Sequence, residues 1–211
     1  IKNLNIQGFS VGIMSRHSNE NNCDTCISTI INNEIRLNNS AGIFSGWDVR
    51  LQIISNFINQ NGGNGITLRD IPAWSEHTGG GCNSFVVKQN TITSNAGNGV
   101  DIANASSICF EQNTSNDNLK GFYLFASNTN HIFQTNTANS NTNSGFDFSG
   151  STDFVFTGDN TASGNGDDYV CSGSYCDTSP DFPWNPGAGT NTTPPTITFQ
   201  GFDDEMVHTR T

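Results

Sequence analysis

Positive charge is scarce in this chain. Eight Lys and Arg stand against nineteen Asp and Glu, a formal net charge of −11 over 211 residues. So few cations could not neutralise a phosphate backbone, which argues against nucleic-acid binding. Apolar runs are equally scarce: nothing approaches the roughly 20 residues that cross a bilayer as a helix. No signal peptide opens the chain, which begins at Ile1 and reads as a mature or excised piece. Hydrophobic content is 33% and charged content 13%, a mixture that would suit disorder were it not for fifteen Phe at regular intervals. No string resembles a cofactor or metal motif.

Asparagine is abundant, with 31 residues, and so is glycine, with 22. The asparagines recur as N-x-x-x-x-N pairs: Asn33/Asn38, Asn56/Asn61, Asn90/Asn95, Asn113/Asn118, Asn136/Asn141 and Asn160/Asn165. The pairs begin 23, 34, 23, 23 and 24 residues apart. Gly42, Gly65, Gly99, Gly121 and Gly145 follow them, and Asn3, Gly8 and Gly12 fit an opening coil with one Asn replaced. A period near 23 with short alternating segments is the mark of a β-solenoid of about seven coils, each burying its face on its neighbours. Alternation predicts three inward columns. One is Ile43/Ser45, Ile66/Leu68, Val100/Ile102, Phe122/Leu124 and Phe146/Phe148. The second is Ile30, Ile53, Val87, Phe110, Phe133 and Phe156, and the third Ile35, Ile58, Ile92, Ser115, Ala138 and Ala162. Where the second column enlarges to Phe the third shrinks to Ser or Ala, as close packing at constant cross-section requires. Stacked coils would let each Asn hydrogen-bond the Asn above and below, and glycine would serve corners needing positive φ.

Six cysteines in so polar a chain imply an oxidising compartment, with Cys23, Cys26, Cys82, Cys171 and Cys176 as disulfide candidates. An extracellular or cell-surface location follows. Sequons stand at Asn38, Asn104, Asn113 and Asn191. After residue 176 the period is lost. Residues 177–195 read as a Pro/Gly/Thr-rich linker and 196–211 as a strand-like tail or the start of a further domain.

The segments "NFINQNGGNGITL" and "NTITSNAGNGVDI" resemble the right-handed parallel β-helix repeat of pectate-lyase-like and NosD-like proteins. The resemblance covers residues 1 to about 170 and implies an all-β, right-handed parallel β-helix, to which the segment after residue 176 adds a C-terminal extended tail. It does not select an activity, because that repeat hosts lyases, epimerases, hydrolases, adhesins and structural fibres. Charged strings such as WxDH, RxPxxR or DPHE, which such enzymes carry, do not occur here.

Two insertions fall at one corner, "SRHSNENNCDTC" and "RDIPAWSEHTGGGC", with "GWDVR" between them. Together they gather Arg16, His17, Trp47, Asp48, Arg50, Arg69, Asp70, Trp74, Glu76 and His77, a set suited to sugar rings and uronate carboxylates. Outward ranks of Thr91, Thr114, Thr137 and Thr161 resemble those of ice-binding solenoids. Val86, Cys109, Ile132 and Val155 should form an outward apolar stripe. With Ile197 and Phe199 of the tail they are the interface candidates. The expectation is a non-catalytic structural or adhesive module, polymerising through its coil ends and tail. A polysaccharide-binding or -cleaving enzyme is the alternative, and an ice-binding solenoid a minor one.

Overall fold

The computed structural model describes residues 1–16, 27–47, 50–71, 85–150, 154–157 and 159–171. These residues form three parallel sheets and, among them, no helix. The first sheet stacks Asn5–Gln7, Glu34–Arg36, Phe57–Asn59, Thr91–Thr93, Thr114–Asn116, Thr137–Asn139 and Thr161–Ser163 in that order. The second stacks Ile13–Arg16, Ile43–Gly46, Ile66–Ile71, Val100–Ala105, Lys120–Phe125, Ser144–Phe148 and Asp167–Cys171. The third has six strands, Ser28–Ile31, Leu51–Ile54, Val86–Lys88, Cys109–Glu111, His131–Gln134 and Phe154–Thr157. Each strand pairs with its counterpart one coil on, so the chain is a parallel β-solenoid of seven coils.

The register matches the three predicted columns. Ile43, Ile66, Val100, Phe122 and Phe146 lie in one file. Ile30, Ile53, Val87, Phe110, Phe133 and Phe156 form the second. These side chains are buried in a single core. In the later coils the first two files become aromatic and meet edge to face. Phe110 stacks on Phe133 at 4.7 Å and Phe122 on Phe146 at 5.1 Å, while Phe122 and Phe133 cross at 88°. Both geometries favour the ring quadrupole.

Two files of asparagine run the length of the stack. In one, the Nδ2 of Asn33, Asn56, Asn90, Asn113 and Asn136 donates to the Oδ1 of the next coil's Asn at 2.9–3.0 Å. That same Oδ1 also accepts the backbone N–H of the Asn below. The remaining Nδ2 proton goes to a backbone carbonyl of the preceding coil, for example Asn113 to Val87 O at 2.8 Å. The second file, Asn38, Asn61, Asn95, Asn118, Asn141 and Asn165, repeats the pattern through its Oδ1 atoms. Asp168 closes it, its Oδ1 accepting both the N–H and the Nδ2 of Asn165.

The first coil and the repeating glycines differ from what the sequence predicts. In the first coil Leu4 and Phe9, not Asn3, hold the ladder slots, since their N–H groups donate to Asn33 and Asn38. Both asparagines of that coil are therefore replaced, and Asn3 lies one position off. Of the repeating glycines only Gly8 has positive φ; at the ladder turns that conformation belongs to Asn32, Ser55, Gln89, Gln112 and Thr135 just before the first ladder Asn, and to Leu37, Gln60, Ser94, Asp117 and Ser140 before the second. Glycine is required by crowding instead. A Cβ on Gly99 would lie 2.8 Å from Gly121 O and from Asn118 Nδ2, and one on Gly42 2.7 Å from the Ile58 side chain.

Candidate functional site

With the asparagines committed to the interior, chemistry is left to the outward face of the second sheet. Alternation turns Phe44, Tyr123 and Arg69 outward there, flanking the inward files. Arg16 ends the sheet's first strand, and its guanidinium carbon lies 5.3 Å from the Phe44 ring centroid and 5.7 Å from that of Trp47. Among the described residues no carboxylate comes within ion-pair distance of Arg16.

Trp47 is the irregular member of its file. Gly46 pairs with Arg69, Arg69 with Ala103 and Ala103 with Phe125, so the next residues, Trp47, Asp70, Asn104 and Ala126, occupy one corner. All four have φ between 51° and 60°. Asp and Asn tolerate the left-handed region, whereas a bulky side chain there is uncommon and costs about 1–2 kcal/mol. Trp47 is nonetheless 53% exposed.

Farther along the face the charges are engaged. Arg69 pairs with Asp101, donates to the carbonyls of Leu68 and Asp101, and lies 4.9 Å over the Phe125 ring. Asp101 also accepts the Asn98 amide at 2.8 Å. Lys120 bonds Asp147 at 2.6 Å and sits 3.5 Å over Tyr123. The Asp101 and Asp147 side chains are only 9% and 8% exposed. A carboxylate neutralised and covered in this way holds two coils together and is poorly placed to exchange a proton with a substrate.

Of the ten residues expected at this corner, the structure joins Arg16 to Trp47, and Trp47 to Arg69 through a backbone bond of 3.2 Å. Asp70 instead accepts from Asn104, at 3.1 Å. Arg50 is half-buried, and its carbonyl accepts from Ser28. His17, Asp48, Trp74, Glu76 and His77 lie outside the described residues. Lys120, Tyr123 and Asp147 were not among the expected site residues. Their signal was available, because Tyr123 and Asp147, 24 apart, are register partners across one coil and Lys120 stands three residues before Tyr123.

Other candidates are placed as follows. Asn38 and Asn113 are 2% and 1% exposed with their amides in the ladders, so in the folded chain they cannot carry a glycan. Asn104 is exposed, and Asn191 lies outside the described residues. The stripe is in register, but Val86 and Cys109 are 7% and 3% exposed, Ile132 is half-buried and Val155 is 47% exposed. Alternation sets the direction of a side chain, not what lies over it, so the open apolar surface shrinks to its last two members. Ile197 and Phe199, like Cys23, Cys26, Cys82 and Cys176, fall outside the described residues. Thr91, Thr114, Thr137 and Thr161 form an in-register rank that continues into Phe57. No group of three His, Cys, Asp or Glu that could hold a metal occurs among the described residues.

A scan of family models and searches of curated proteins and of solved structures find no match to this chain.

Proposed function

We propose that this chain is a non-catalytic structural or adhesive module of the extracellular or cell-surface kind, a right-handed parallel β-helix that associates with copies of itself. The observation that carries this reading is the interior use of its polar repeat. Twelve ladder asparagines and the Asp101 and Asp147 carboxylates are spent on joining coils. Six cysteines in so polar a chain support an oxidising compartment. Charge asymmetry along the stack supports association. Residues 1–16 hold Lys2 and Arg16 with no acid, while residues 159–171 hold Asp159, Asp167 and Asp168 with no cation. Opposite ends of that kind suit a head-to-tail contact that need not close.

The test is incubation of the whole chain with uronate and neutral polysaccharides, following reducing ends and unsaturated products. No turnover is expected, with sedimentation that rises with protein concentration. Catalytic turnover, or a strict monomer at high concentration, would overturn the reading. A second reading, polysaccharide binding at the insertion corner, is favoured by the exposed Trp47 ring beside Arg16. Retention on a polysaccharide column without cleavage would select it.

A further inference from the structure

We infer that the Arg16–Phe44–Trp47 cluster is a docking site for an acidic–apolar segment of this same chain, "FDDEMV" at residues 202–207. This does not depend on the proposed function. The cluster offers a cation held between two aromatic rings, with no carboxylate partner among the described residues. It also offers an exposed indole in a backbone conformation that Trp rarely adopts. Trp and Arg are the side chains that most often dominate interfaces.

The occupant follows from charge and reach. Asp203, Asp204 and Glu205 form a run of three acids between Phe202 and Met206. That pattern matches a guanidinium flanked by aromatic faces. The described chain ends at Cys171, in the same sheet as Arg16 and in the same file as Ser45, two residues before Trp47. Cys171 and Trp47 are therefore five coils apart along one corner, about 24 Å at the usual strand spacing. Thirty residues, 172–201, separate Cys171 from Phe202. Thirty residues reach at most about 100 Å, well beyond that gap. Because site and segment belong to one chain, the contact is intramolecular and independent of protein concentration. The net charge of −11 does not prevent this, because charges beyond the ~8 Å Debye length are largely screened at physiological salt.

The experiment is ¹H–¹⁵N NMR on the whole chain, reading the Trp47 indole N–H, which Trp47→Phe assigns by its loss. Neutralising the segment, D203N/D204N/E205Q, should shift that resonance, and R16Q or 1 M salt should move it the same way. The amides of Val100 and Phe122 should stay fixed, which separates docking from unfolding. The amides of residues 203–205 should change in Trp47→Asn, whose stack stays as stable as the wild type because Asn suits the corner. An indole resonance indifferent to the neutralised segment would overturn the inference. So would a shift that appears only as protein concentration rises, which would put the contact between copies.

Discussion

His131 shows what one residue can impose on this fold. It stands in an inward file between Ile108 and Phe154, fully buried, with its Nδ1 accepting the Ile108 N–H at 3.3 Å. Burial disfavours the imidazolium and lowers its pKa from 6.5 to about 4. Because the folded value lies below the unfolded one, the neutral ring contributes its full stability above pH 6.5. That contribution is lost as the pH falls from 6.5 toward 4, where the unfolded chain binds the proton first. The difference is about 2–3 kcal/mol between pH 7.5 and 4.5, at about 1.4 kcal/mol per unit. Guanidinium unfolding at these two pH values should show a drop for the wild type that exceeds the drop for His131→Leu by that amount. Equal drops in the two proteins would mean that the ring is not held neutral. Alternation from inward Phe133 and outward Ile132 already turns residue 131 inward, but a His was not expected in a column of Ile, Val and Phe.

At the scale of the strand, the sequence was most legible where the pattern is dictated by packing. The exchange of Ile/Ile for Phe/Ala between two columns was readable because the coil cross-section is fixed, and the structure aligns both columns. It predicts an asymmetry. In the sixth coil Ala138 is buried opposite aromatic files that include Phe133 and Phe146, which cross at 89°. Ala138→Ile alone should cost about 1–3 kcal/mol by overpacking. Adding Phe133→Val and Phe146→Val should recover a good part of that loss relative to the two valines on an Ala138 background. A double-mutant cycle in denaturant checks the sign, and purely additive losses would mean that the columns do not share volume. Less legible was the outward side. The same alternation turned Asp101 and Val86 away from the core, yet both are buried, one under an ion pair with Arg69. Sequence period records direction, while cover comes from residues that the period does not include.

For the whole molecule, a stack whose coils touch only their neighbours has a stability close to a sum of coil and interface contributions. The ladders thread every interface, which is why they, more than any corner residue, define the molecule. The candidate site was half legible: an aromatic and basic corner was foreseen from the insertions, and Arg16 with Trp47 came together there. Of its carboxylates, Asp70 accepts from Asn104 while Arg69 pairs with Asp101, and Asp48 and Glu76 lie outside the described residues. The account therefore stands or falls on whether repeated asparagine is structural. Asn113, 1% exposed at the middle of the stack, decides it. Its side chain donates to Asn136 Oδ1 and Val87 O and accepts from the N–H and Nδ2 of Asn90. Asn113→Ala would leave several buried partners unpaired, at about 1–3 kcal/mol each. The measurement is equilibrium unfolding in guanidinium of Asn113→Ala beside Thr114→Ala, its outward neighbour. A loss of about 3 kcal/mol or more for the asparagine, against less than about 1 kcal/mol for the threonine, is the predicted result. Equal small losses would contradict the account.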